Sequence, residues 1–171
     1  MMDRYTSVAR ALHWIMAVLI IVNLVLGIGH DALPKDWAVM PVHKSIGLTV
    51  LALTLVRLAW RLGHRPPPLP APMPGWEKAA AHATHFVFYA FMILMPLTGW
   101  IMTSAGTRPL NWFFLFDVPK FAVAKGDILV DISGEGHELM GFAWAALIIL
   151  HIAAALRHHI MLKDNVLQRM M

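Results

Sequence analysis

From Leu139 to Leu156 the chain carries no charged side chain, and a histidine stands at each level of that run: His137 just before it and His151 inside it. Eighteen uncharged, mostly apolar positions are long enough to cross a bilayer as a helix. The two histidines are fourteen residues apart. At about 100° per residue, fourteen steps end roughly 40° short of whole turns, so both imidazoles leave one face, roughly 21 Å apart along the axis. His158 continues that face seven residues further on. An ionisable side chain in mid-membrane is costly and marks function by default. Two on one face at two depths suggest two stacked ligand sites; the plainer alternative is hydrogen bonding between neighbouring helices.

Three more spans accompany this one, so that the apolar segments are 11–29, 42–62, 85–103 and 138–160. Lys44 and Arg57 fall near the ends of the second, where long side chains reach the headgroups. The third contains Pro96 and Gly99, a kink that a membrane helix tolerates. The stretch 64–76 (HRPPPLPAPMPGW) excludes helix and is expected to run extended on the surface. The longest connection, 104–136, includes 111–121 (NWFFLFDVPKF), aromatic enough to lie in the membrane interface. The expected fold is an all-α membrane protein, one four-helix transmembrane bundle over residues 1–171. Composition agrees: 14% of residues are charged, against about a quarter in soluble domains. The absence of cysteine excludes disulfides, iron–sulfur clusters and thioether-linked haem, so a metal centre must rest on His, Met or carboxylates. Arg4 and Arg10 before the first span resemble a signal peptide, but no small-residue cleavage site follows, and the span is expected to be retained.

Orientation follows from the cations. With both termini and the proline-rich loop on one side, that side holds nine lysines and arginines: Arg4, Arg10, Arg57, Arg61, Arg65, Lys78, Arg157, Lys163 and Arg169. The other holds five: Lys35, Lys44, Arg108, Lys120 and Lys125. Three of the ten acids (Asp3, Glu77, Asp164) fall on the first side and seven on the second. This bias is expected to put both termini in the cytoplasm. The pI near 9.8 is therefore a topology signal, and no nucleic-acid partner is expected.

In that topology His43 and His137 share the outer depth, while His13 and His151 lie towards the cytoplasmic half. Same-depth pairs from different helices are what bis-histidine haem requires. His82 and His85 also lie near the cytoplasmic side, so depth alone does not choose the partner of His151. Side-chain size does. Four residues after a helical ligand, the next turn faces the same macrocycle and must be small. His43 is followed by Gly47, His137 by Gly141, His13 by Ala17 and His151 by Ala155, whereas Phe86, Tyr89 and Leu162 follow His82, His85 and His158. Two non-covalent haems b are expected, with pairs His43–His137 and His13–His151 and with Gly47, Gly141, Ala17 and Ala155 beside them.

The motifs HWIMA at His13, HKSIGLTVLALTLVRLAWR from His43, AAHATHFVFYAFMILMPLTGW, GHELMG at His137, LHIAAALRHH at His151 and the final KDNVLQRMM resemble the bacterial cytochrome b561 family. The resemblance is weakest over 104–131, implies the same ligand pairs, and is nearest to quinone-linked superoxide oxidases. It implies an electron wire from superoxide outside to the membrane quinone pool, with ubiquinone as substrate. Under it, His85 and His158 would contact quinone near the inner haem, where an imidazole suits proton uptake. Arg108, Lys120 and Lys125 would gather the superoxide anion, with Trp112 at the haem rim. The net negative outer face opposes that steering unless the three cations cluster. The other expectation is a cytochrome b subunit that anchors a redox partner protein, a dehydrogenase or hydrogenase, and relays its electrons to quinone. A cofactor-free bundle is disfavoured by the histidine spacing.

Overall fold

The computed structural model describes residues 4–34 and 37–171; Asp3, Lys35 and Asp36, which enter the charge count, lie outside these. Four long helices account for most of it: α1 Ser7–Ile28, α2 Val39–Gly63, α3 Gly75–Ser104 and α4 Ile128–Arg157. All four are long and apolar enough to cross a membrane. In hydrocarbon every backbone N–H and C=O must be satisfied within the segment, and a helix does that. The ends are closed locally. Thr6 Oγ1 accepts the Ala9 N–H at 3.2 Å to cap α1, and Pro74, which cannot continue a preceding helix, stands before α3.

Two helices overrun their apolar spans. α3 and α4 are 30 residues each, roughly 45 Å at about 1.5 Å per residue. α3 begins ten residues ahead of the apolar span, through the polar 75–84, and α4 ten ahead of its own, through 128–137. Those extensions carry Glu77, Lys78, Asp131 and Glu135, so hydropathy stops where the helix does not. Beyond Arg157 the chain widens into a π-turn, His158–Leu162, ended by Lys163 in the left-handed region.

The helices form a ring in chain order. α1 packs on α2, α2 on α3 and α3 on α4, and the seam between α4 and α1 is the thinnest. Met16 and Ile20, Ile46 and Val50, Met92 and Met95, and Trp144 form the core. The helical faces explain the set: these residues follow His13, His43, His85 and His137 at intervals of three, seven or ten, so the stripe that buries the core also carries the histidines. The opposite faces expose Val18, Val25, Leu55, Ile149 and Leu150, as a bilayer requires.

Both termini and the proline-rich loop meet at one end. The Tyr5 N–H donates to the Arg169 carbonyl at 3.2 Å, Trp14 Nε1 to the Met170 carbonyl at 2.7 Å, and Arg169 donates to the Pro68 carbonyl. The proline-rich loop is non-helical up to Pro74, and its last two residues, Gly75 and Trp76, already belong to α3.

The opposite end carries the one pair of strands among the described residues. The aromatic connection folds as an antiparallel hairpin, β1 Leu110–Trp112 with β2 Phe116–Val118, pairing Leu110 with Val118 and Trp112 with Phe116. Its turn holds Phe113 at φ +46° and Phe114 at φ +61°, a backbone region that bulky residues rarely adopt. α2 holds it there. Ser45 Oγ accepts the Phe113 N–H at 2.8 Å, Trp112 Nε1 donates to Thr49 Oγ1 at 3.1 Å, and Leu110 is buried. Ser45→Ala leaves the Phe113 N–H without its acceptor, a loss of about 1–3 kcal/mol for a buried donor. Hydrogen-exchange mass spectrometry is expected to show faster exchange over 110–118 and unchanged protection in α2.

Candidate functional site

Four helices turn imidazoles inward at two levels. At the outer level, below the hairpin, the ring centres of His43 and His137 are 6.1 Å apart, with planes crossing at 77°. At the inner level, His151 is 6.4 Å from His13 and 6.1 Å from His85, with the Phe88 ring 5.2 Å away. A metal bound at about 2.0–2.1 Å from each of two imidazole nitrogens separates the ring centres by about 6 Å. Both expected pairs have that spacing. The inner level also holds a third histidine at the same distance, so spacing, like depth, leaves His13 and His85 level, and only the small residue at Ala17 separates them.

The outer pair has its tautomers set by the fold. His43 Nδ1 lies 3.0 Å from the Asn23 carbonyl oxygen. A carbonyl only accepts, so Nδ1 carries the hydrogen and Nε2 keeps its lone pair. His137 Nδ1 lies 3.0 Å from Thr98 Oγ1. That hydroxyl spends its own hydrogen on the Leu94 or Met95 carbonyl, at 2.9 and 3.0 Å. It therefore receives from His137 and frees Nε2 there as well. Holding one ring nitrogen in this way orients the other for metal binding.

A cavity of about 580 Å³ opens between these rings, within the usual range of cofactor sites, about 300–1,000 Å³. Gly27, Gly47, Gly99 and Gly141 all line it. A Cβ on Gly47 or Gly141 would meet only one side-chain atom, at 3.7 or 3.8 Å, so both face open space, as their position after a histidine implies. Gly27 and Gly99 act differently, and sequence reasoning missed them. A Cβ on Gly27 would lie 2.8 Å from His43 Cε1, and one on Gly99 3.1 Å from His137 Cε1. Each lets the neighbouring helix press on the imidazole and fix its plane. Nothing local in the sequence marks this, because the glycine and its histidine lie on different helices.

The remaining expected residues divide. Lys120 donates to the Gly106 carbonyl and, at 3.1 Å, to the Arg108 carbonyl, closing its own loop. Arg108 and Lys120 both lie within electrostatic range of Lys44, which lines the cavity mouth with His30, Asp31 and Glu138. Lys125 lines a surface pocket with Asp131 and Glu135. Arg108 and Lys120 thus add to the field at Lys44, while Lys125 shares its surroundings with Asp131 and Glu135. Trp112 packs on Thr49 and, with ring centres 5.2 Å apart, on Phe116; it does not line the cavity. At the other end, His158 Nδ1 meets Asp164 Oδ2 at 2.6 Å, and His85 turns to His151 instead of to His158.

Residues 4–171 match the family model described as prokaryotic cytochrome b561. The chain belongs to that family. "Cytochrome b561 homolog 2" of Escherichia coli (strain K12) is 30% identical over 99% of this chain and 92% of its own length. "Probable superoxide oxidase CybB" of Yersinia pestis is 31% identical over 100% of this chain and 97% of its own. "Cytochrome b562" of Cereibacter sphaeroides is 32% identical over 98% and 94%. A prokaryotic cytochrome b561 is a membrane electron-transfer protein of oxidoreductase type, and its family implies b-type haem. The outer level fits that group. Among the described residues no cluster of three or more His, Asp or Glu is arranged to hold a bare metal ion, and a tetrapyrrole, which brings four nitrogens of its own, asks the protein for two. Free Nε2 lone pairs and a glycine-walled cavity supply the rest.

Leucine at Gly47 or Gly141 would project into that cavity, an overpacking cost of about 1–3 kcal/mol or more. Either variant is expected to lose haem from the outer level alone, read by pyridine haemochrome content and the α-band. Two unchanged spectra would remove the small-residue argument.

Proposed function

We propose that this cytochrome b561-family protein holds two haems b, on His43 with His137 and on His13 with His151, and works as a superoxide:quinone oxidoreductase of the bacterial inner membrane. The observation that carries the reading is the pair of histidine levels in one bundle, each with the ring spacing at which two imidazoles would hold one metal between them. Haem supplies a one-electron iron couple at each level, and the protein positions the couples and sets their surroundings. Two superoxide anions each give one electron and leave as dioxygen, while one quinone takes both electrons with two protons and leaves as quinol. A full-length relative named a probable superoxide oxidase supports the donor. So does Lys44 in the lining of the outer cavity, with Arg108 and Lys120 within electrostatic range of it, since cations at a low-dielectric cleft raise the local concentration of a small anion.

The positive-inside bias supports cytoplasmic termini, and with them a quinone site at the inner level. There His85 stands beside His151, and His158 is held by Asp164. A neutral imidazole at either place donates a hydrogen bond, and then a proton, to a quinone carbonyl.

The unmodified protein is expected to carry two low-spin haems per chain. His151→Ala should remove the inner one and His43→Ala the outer, by pyridine haemochrome; one haem in the parent would end the scheme. Superoxide added anaerobically should reduce the α-band at a rate that falls with rising ionic strength, because screening shortens the reach of the three cations. Gln at Lys44, Arg108 and Lys120 together should lower that rate and flatten its salt dependence, with quinol-driven reduction untouched. A parent protein that superoxide does not reduce, but that a co-purifying dehydrogenase does, would identify the anchor-subunit function instead.

A further inference from the structure

Arg57 follows His43 on α2 by fourteen residues, the interval that separates His137 from His151 on α4. It therefore reaches the inner level from the same face of α2 that supplies His43 to the outer. Its guanidinium is half-buried and lies within electrostatic range of both His13 and His85. Arg57 Nε donates to Tyr89 Oη at 3.2 Å, and its Cζ stands 6.0 Å from the centre of the Tyr89 ring. Arg61, one turn on, has its Cζ 5.7 Å from the same ring and is also within range of His85.

Two guanidinium groups thus share one tyrosine beside the inner histidines. Among the described residues the ion pairs are His30–Asp31, Arg157–Glu77 and His158–Asp164, so neither Arg57 nor Arg61 has a carboxylate partner. An arginine in a membrane helix without a counter-ion ordinarily extends to the headgroups. Arg57 instead is held back on Tyr89. That bond uses only Nε and leaves the Nη fork open; a planar fork matches the two oxygens of a carboxylate or phosphate.

We propose that Arg57 and Arg61, braced on Tyr89, form an oxyanion clamp that binds the propionate carboxylates of the tetrapyrrole at the inner histidine level. The clamp rests on the reading that a haem b sits there. It gives α2 a part at both levels: an iron ligand at the outer one and a side-chain anchor at the inner one. Cations beside the carboxylates also favour the reduced form of the couple, since they disfavour the extra positive charge of the oxidised iron.

The test uses the holoprotein as purified. Parent, Arg57→Gln, Arg57→Lys, Arg61→Gln and Tyr89→Phe proteins are compared by haem count, by redox titration of the α-band and by the rate of haem transfer to apomyoglobin. The inner component is identified as the one that His151→Ala lacks. In Arg57→Gln the inner component is expected to titrate at lower potential and to transfer roughly tenfold faster or more, the loss of a charge-assisted hydrogen-bonded contact. The outer component should be unchanged, which controls for folding within the same sample. Arg57→Lys keeps the charge and loses the fork, so it should retain most of the potential while transfer still quickens. Arg61→Gln and Tyr89→Phe should move both readouts in the direction of Arg57→Gln by less.

Two haems in the parent, with the inner potential and transfer rate unaltered in Arg57→Gln and Arg61→Gln, would overturn the clamp while leaving the two-haem reading intact. One haem in the parent would overturn that reading itself, and the clamp with it. If the Gln variants keep the haem and lose bound phosphate, counted on the purified proteins, the oxyanion is a phospholipid headgroup and the proposal fails.

Discussion

The bond from His43 Nδ1 to the Asn23 carbonyl is the contact on which the outer level turns. A carbonyl in the middle of a helix is normally occupied by the helix itself, and its second lone pair is available only to a donor from outside. α2 supplies that donor, and Gly27, one turn further along α1, removes the side chain that would hold the imidazole off. The two helices are therefore locked together by a histidine whose other nitrogen is left unprotonated and free. Helix packing and ligand preparation are one interaction here. α3 repeats it on α4, with Thr98 in place of the carbonyl and Gly99 in place of Gly27.

This accounts for the division of the bundle into faces. In hydrocarbon there is no solvent to reward polarity, so the lipid-facing sides are Val, Leu and Ile, and polar chemistry is confined to the inward stripe. The stripe alternates histidine levels with Met16, Ile20, Ile46, Val50, Met92, Met95 and Trp144 between them. Those apolar side chains separate the two levels and keep water from the space between. Long-range electron transfer needs such a rigid, dry spacer.

Much of this was legible in the sequence, for physical reasons. Runs without charge give the number of helices, the helical period gives the face, and a small residue four positions after a histidine points to open space at Gly47 and Gly141. Three things were not. Helix continues through 75–84 and 128–137 because a helix satisfies its own backbone in water as well as in lipid, so the apolar signal fades before the structure ends. Gly27 and Gly99 act on histidines of other helices, and spacing within one helix cannot show that. The aromatic connection reads as interfacial, but its hairpin depends on Ser45, more than sixty residues earlier, taking the Phe113 N–H and steadying two left-handed phenylalanines. For the same reason Lys44 read as a snorkelling side chain, although the fold sets it in the cavity lining.

The ring order of the helices bears on how such a protein is made. α4 carries a histidine at both levels, His137 beside His43 of α2 and His151 beside His13 of α1 and His85 of α3. Helices leave the ribosome in chain order, so His13 and His43 wait in the membrane, unmatched, until translation is nearly over. The α4–α1 seam is the thinnest of the ring. Both levels thus depend on one helix, and a chain without α4 lacks the shared histidine at each.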